Sequence, residues 1–219
     1  MSAHGMLTDG QFVGSLEDEI RYRGAMDLLI SDMAKAEISA RVREILRAFR
    51  IKDWQSEPHH QNQNIAERYI QELKKYCNWV LNTSDAPPEA IFFIIKYAMF
   101  IHNRTARQKL GWRTPYEALT GQTPDISMLF CFRFWQVVYI KNYRESGTGF
   151  PSDSNEILCY FLGFAETVGH STTFIVYNPE THSILYRSSL RAANENDIKG
   201  SPIPPHDYPR LRDVDVHQK

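Results

Sequence analysis

The chain has 219 residues, 42% hydrophobic and 12% aromatic, with a formal net charge of −1. That composition supports a packed core, excludes a fibrous or fully disordered chain, and suits one large domain or two small ones. The charge is uneven: Met33 to Arg113 carries 14 Lys/Arg against 8 Asp/Glu, a surplus of six, and the remainder carries 11 against 18. A basic middle between acidic ends suits a polyanionic partner as well as it suits an ordinary solvated surface.

Met1-Ser-Ala-His-Gly-Met-Leu-Thr-Asp9 lacks the basic flank and apolar core of a secretory signal. Gln11 to Arg23 has a helical stripe of Phe12, Val13, Leu16 and Ile20, with Gly24 where a C-terminal cap belongs. The run Met26-Asp-Leu-Leu-Ile-Ser-Asp32 predicts a buried strand ending at Asp32. Ala34 to Phe49 predicts a helix facing inward through Ile38, Val42, Ile45, Leu46 and Phe49, and Ile51 to Gln55 a short strand.

Ser56 to Gln63 is a polar loop containing His59 and His60, which read as exposed loop histidines. Ile65 to Leu81 predicts a helix with Tyr69, Ile70, Leu73, Cys77, Val80 and Leu81 inward. Asp85-Ala-Pro-Pro-Glu89 opens an apolar helix. Its most apolar stretch, Ala90 to Ile101, contains Lys96 and is too short to cross a bilayer. His102 on that helix reads as a satisfied core histidine. Thr114-Pro-Tyr-Glu117 is a capping box with proline at the first helical position, closed by Gly121. Strand, helix, strand, helix, helix argues for an α/β layer structure.

After about Pro124 the pattern turns to β. Trp135 to Lys141, Ile157 to Phe164, Thr172 to Tyr177 and Ile184 to Ser188 read as strands of a small barrel or sandwich. Asn178-Pro-Glu-Thr181 supplies a turn, and His170 after Gly169 another. From Asn194 the chain is Pro-rich and charged, a tail. The expected domains are therefore 1–125, 126–193 and a tail, 194–219. Cys77, Cys131 and Cys159 lack metal-finger spacing and read as buried, reduced thiols of an intracellular, soluble protein.

Asp32 and Glu67 carry the chemistry. A carboxylate at the C-terminal end of a strand and another in the first turn of a helix can share one divalent cation. Taken singly, Asp32 also reads as a helix N-cap, and Glu67 as an acidic residue favoured near a helix N-terminus. Lys74, seven residues after Glu67, falls on the same helix face. Arg104, Arg107, Lys109 and Arg113 form a basic run beside Trp112, suited to phosphate contacts that are salt-dependent and indifferent to sequence. The aromatics Trp135, Tyr139, Tyr160, Phe161 and Phe164 read as core.

Several of these segments resemble one family. Ile30-Ser-Asp32, the loop Pro58-His-His-Gln-Asn-Gln-Asn64, Ala66-Glu-Arg68, Asn103-Arg104 and Thr114-Pro-Tyr-Glu-Ala-Leu-Thr-Gly-Gln-Thr-Pro124 resemble the integrase of copia-type retrotransposons. Tyr160-Phe-Leu-Gly-Phe164 and Arg187-Ser188 are similar to the small β-barrel that follows it. The resemblance spans about Phe12 to Arg191. It implies an RNase H-like catalytic core, here lacking its N-terminal part, followed by a barrel like that of Src-homology-3 domains. It implies nuclear DNA integration by Mg2+- or Mn2+-dependent polynucleotidyl transfer, with Asp32 and Glu67 as catalytic metal ligands. Gln63, Asn64 and Arg68 then join Lys74, Arg104, Arg107, Lys109 and Arg113 in contacting DNA. Homo-oligomers are expected and membranes are not.

The chain departs from that pattern in four places. The strand bearing the family's first Asp has no counterpart, and Asp9 stands on the wrong element. Met33-Ala34 replaces Asn-Gly after the second Asp. Asn64 stands where Gly is usual. The His/Cys zinc module that precedes the core is not seen. Two alternatives follow: a decayed or repurposed module that binds DNA or protein without catalysis, and a stand-alone nuclease completed by Glu37 or Glu57.

Overall fold

The computed structural model describes residues 8–31, 39–55, 65–142 and 156–193. Helices and sheets are mixed, and the chain divides into two compact units between Lys74 and Lys75. The boundary expected at 125 lies inside the second unit.

In the first unit, α1 spans Asp9–Arg23. It begins two residues before the expected start at Gln11 because Thr8 caps it. The Thr8 hydroxyl accepts from the Gln11 N–H at 3.3 Å, and the Gln11 side chain accepts from the Thr8 N–H at 3.1 Å. Gly24, at φ 85°, closes it by donating its N–H to the Ile20 carbonyl. Strand β1 (Leu28–Ser31) pairs in parallel with β2 (Lys52–Gln55), from Leu28 opposite Lys52 to Ser31 opposite Gln55. Parallel neighbours need a crossover, and α2 (Ala40–Ala48) lies in it.

Three expectations change here. Helix α2 starts at Ala40 rather than near Ala34, because the Ser39 hydroxyl accepts from the Val42 N–H. Its cap is therefore Ser39 and not Asp32. Strand β1 is half-buried: Leu28 is exposed and Ser31 buried. Helix α2 ends in a Schellman motif without glycine. Arg50 takes φ 55°, its N–H reaches the Arg47 carbonyl, and Ile51 N–H reaches Leu46 at 2.8 Å. That turn delivers Ile51 into the core of Leu16, Ile20, Val42, Ile45 and Leu46. Phe49, expected inward, is exposed just before it.

Helix α3 (Ile65–Ser84) crosses the division between the units. Cys77 and Val80 are buried as the period predicts. Ile70, one step off the row of Tyr69, Leu73, Cys77 and Val80, is 48% exposed instead. In the second unit a 3-10 turn at Pro88–Ala90 feeds α4 (Ile91–Asn103). The short α5 (Pro115–Thr120) is capped by the Thr114 hydroxyl, which accepts from Glu117 N–H at 3.0 Å, and closes on Gly121 at φ 73°.

Five antiparallel strands follow: β3 (Val137–Lys141), β4 (Glu156–Phe164), β5 (Phe174–Asn178), β6 (Ser183–Arg187) and β7 (Leu190–Ala192). Their order is β6-β5-β4-β3-β7. A flat sheet would hold its two edges about 19 Å apart, four gaps of ~4.8 Å. Three Cα steps from Arg187 to Leu190 reach at most about 11 Å. The sheet must therefore curl until β6 and β7 approach. A bulge between Phe161 and Gly163 assists, with Gly163 at φ 140°, a backbone that L-residues rarely adopt. Strand β3 begins at Val137 rather than Trp135, because Trp135 adopts φ 63° and turns its N–H to the Phe161 carbonyl at 2.7 Å. Asn178 makes the expected turn by accepting from Glu180 and Thr181 N–H.

Helix α4 covers this sheet through aromatics. Phe100 stacks on Phe164 at 4.4 Å, and Tyr97 meets Phe161 edge-on at 6.3 Å. Phe161 is wholly buried, against Phe132, Phe164 and Phe174. Phe161→Ala should destabilise this unit by about 3–5 kcal/mol, read as a lower urea midpoint, whereas Phe161→Leu should lose much less.

Cys77 and Cys159 are buried, but Cys131 is exposed, because it follows a surface 3-10 turn at Ser127–Phe130. Burial pushes the Cys159 thiol up to about 12 and raises that of Cys77, and the thiolate is the reactive form. In Ellman titration at pH 8, one thiol should react promptly in the native protein and two only after unfolding. Prompt reaction that survives Cys131→Ser would contradict this assignment.

Candidate nucleic-acid interface

Of the two expected cation ligands, Glu67 is described. It stands in the first turn of α3, half-buried. Asp32, Gln63 and Asn64 lie outside the described residues, as do His59, His60, Glu37 and Glu57. The parallel register fixes one relation. Buried Ser31, which precedes Asp32 in the chain, is opposite Gln55, so the carboxyl ends of β1 and β2 share one edge. In open α/β sheets ligands bind outside the carboxyl ends of the strands. Among the described residues, no group of three or more His, Cys, Asp or Glu is arranged to hold a metal ion.

Arg68 is exposed and 3.9 Å from Glu72 one turn on, a contact worth little in water. Lys74 is exposed on the same helix. Both stand in the unit that carries Glu67.

The basic run divides into two kinds of residue. Arg104 is turned inward. Its guanidinium lies 3.4 Å from the Phe100 ring centroid, donates to the Phe100 carbonyl, and pairs with Glu166 at 3.5 Å. Burial pulls Arg104 below its usual value and Glu166 opposes the shift. Burial likewise lowers the nearby Lys96 ammonium, again against Glu166. Arg107 is half-buried and hydrogen-bonded to His102, so that histidine is satisfied as expected. Lys109 and Arg113 are exposed. Among the described residues, Arg113 donates its Nε–H to the Leu110 carbonyl at 3.3 Å. No local pattern marks Glu166 as the partner of Arg104, because the two stand 62 positions apart.

The expected aromatic core holds. Trp135, Tyr160, Phe161 and Phe164 are buried, with Trp135 stacked on Tyr160 at 4.7 Å. Tyr139 is half-buried beneath the Arg191 guanidinium. Among the described residues, no helix is long and apolar enough to cross a membrane.

No family model matches the chain, and no curated protein matches it. Among solved structures, one similar chain belongs to the cryo-EM structure of the simian T-cell lymphotropic virus intasome in complex with the PP2A regulatory subunit B56 gamma. Identity is 12%, the TM-score is 0.44, and the match covers 87% of this chain and 66% of that one, just under two thirds of its length. A likeness of that size establishes neither fold nor activity.

Substitution should separate the two kinds of basic residue. Arg104→Gln should lower stability by about 1–2 kcal/mol through its lost ring and carbonyl contacts, and leave the salt dependence of duplex DNA binding unchanged. Lys109→Gln should leave stability unchanged and lower the slope of log K against log salt by about 0.9, one phosphate contact. The reverse pattern in a salt titration would reject this division.

Proposed function

We propose that this chain is a DNA-binding portion of a retrotransposon integrase, of copia type, with a cation site formed by Asp32 and Glu67. The single observation that supports this most is the parallel β1–β2 pair. It ends both strands at one edge, with Asp32 following one strand and the loop to Glu67 following the other. Carboxylates are the hard oxygen donors that Mg2+ and Mn2+ prefer, and Mg2+ fills its remaining positions with water or phosphate oxygen. Asp32 and Glu67 fit that donor type, with at most two protein carboxylates per ion.

A cation there would neutralise charge on a phosphodiester undergoing transfer. The protein residues would do the positioning. Glu67 is held by the first turn of α3. Arg68 and Lys74 offer cationic side chains on the same helix, and Lys109 and Arg113 offer phosphate contacts in the other unit. Gln63 and Asn64 precede Glu67 as a DNA-contacting loop. The chain by itself binds DNA and joins strands slowly or not at all, because two carboxylates hold a single ion weakly. Its place of action is the nucleus, where the DNA target is, and it works as a homo-oligomer.

The test is Mn2+ binding followed by electron paramagnetic resonance, which needs no turnover. The parent chain should bind Mn2+, and Glu67→Gln and Asp32→Asn should each weaken binding about tenfold or more. If neither substitution changes Mn2+ binding while duplex DNA still binds, the chain is a non-catalytic binding module. If Glu57→Gln abolishes Mn2+-dependent cleavage by the 219-residue chain, the stand-alone nuclease reading replaces it.

A further inference from the structure

The turn from Arg107 to Arg113 is closed by its own backbone. Arg107 N–H donates to the Arg113 carbonyl, and Leu110 and Trp112 N–H both donate to the Arg107 carbonyl, each at 3.0 Å. Gly111 and Trp112 both take the left-handed conformation, at φ 64°. Glycine does so freely, but a bulky aromatic pays about 1–2 kcal/mol. Strain of this kind persists only where surrounding bonds enforce it, and it clusters at functional sites.

Burial of the indole does not account for the strain, because Trp112 is 72% exposed. The turn instead places a large flat ring in solvent. Its flanks are cationic: Arg104 to Arg113 contains four basic residues and no acidic one, and Lys109 and Arg113 are exposed. An exposed aromatic ring beside exposed cationic groups meets the two requirements of a single-strand site, a stacking platform and a charged track. In a duplex the bases are already stacked, so the ring would have no partner there.

The geometry points to a single-stranded polynucleotide as the occupant of this turn, one unstacked base lying on Trp112 and adjacent phosphates on Lys109 and Arg113. This rests on the reading above that the basic run contacts nucleic acid, and is independent of the cation site.

The test uses the full chain in EDTA, with a fluorescein-labelled DNA single strand of about 16 nucleotides, near the upper site size for such modules, and the corresponding duplex. Trp112→Ala should weaken single-strand binding roughly 5- to 150-fold, the loss of one stacked base, without changing the salt slope or duplex affinity. Trp112→Phe should retain most of the affinity. Trp112→Gly relieves the left-handed strain, so it should unfold at a higher temperature than Trp112→Ala and yet bind as weakly, which separates lost stacking from misfolding. Lys109→Gln and Arg113→Gln should each lower the single-strand salt slope by about 0.7. Unchanged single-strand affinity in Trp112→Ala, or equal losses on single strand and duplex, would overturn the proposal. Because no divalent ion is present, none of these outcomes depends on Asp32 or Glu67.

Discussion

The Phe100 ring is the contact on which the second unit turns. It stacks on Phe164 of β4 and also receives the Arg104 guanidinium. The first contact fastens α4 to the curled sheet. The second directs the chain that leaves α4, because Arg104 follows Asn103, the last residue of that helix. With Arg104 held against Phe100 and Glu166, and Arg107 against His102, the next exposed cations are Lys109 and Arg113. Two of the four basic residues thus serve the fold and two face solvent. A desolvated cation over a ring is worth more than the same cation in water, which favours Arg104 on Phe100; Arg107 is held by a hydrogen bond to His102 instead.

The first unit relies on a different constraint. Its two strands are parallel, so the chain must cross back through α2, and a crossover returns the second strand to the same end as the first. Ser31, the residue before Asp32 in the chain, and Gln55 therefore end their strands at one edge. Ser31 is buried at that edge while Leu28, at the far end of β1, is exposed. Strand β1 is thus better packed at its carboxyl end than at its start.

Hydrophobic period and capping chemistry made most of the elements legible. Thr114, Pro115 and Gly121 bracket α5 as their chemistry requires, and Gly24 closes α1. What escaped was backbone handedness at residues that do not advertise it. Arg50, Trp112 and Trp135 all take positive φ, which side-chain type alone disfavours. Backbone hydrogen bonds impose it: a Schellman closure at Arg50, the Arg107–Arg113 bridge at Trp112, and the distant Phe161 carbonyl at Trp135. Strand β7 escaped because three residues, one of them Arg191, carry too little period to read. Cys131 reads as core by residue type, but its position after a surface turn exposes it. The start of α2 shifted because Ser39 caps as well as Asp does. At the candidate site, residue types and spacing pointed to basic and acidic side chains but not to their direction. The contacts of Arg104 with Phe100 and Glu166, and of Arg107 with His102, show which cations stay exposed.

A net charge near zero does not weaken the case for a polyanion partner, because the relevant quantity is local. Over distances beyond about 8 Å at physiological salt, charges on a surface are largely screened. The acidic excess at the chain ends therefore matters to DNA only where those ends approach the basic segment. Lys109 and Arg113 have no acidic neighbour in their own turn, whereas Arg68 has Glu72 one helical turn away. The turn is consequently the better suited of the two to the phosphate contacts proposed above. The proposed cation site and the turn also belong to different compact units. Groups that share no partners contribute nearly additive free energies, so substitutions in one should leave the intrinsic affinity of the other intact.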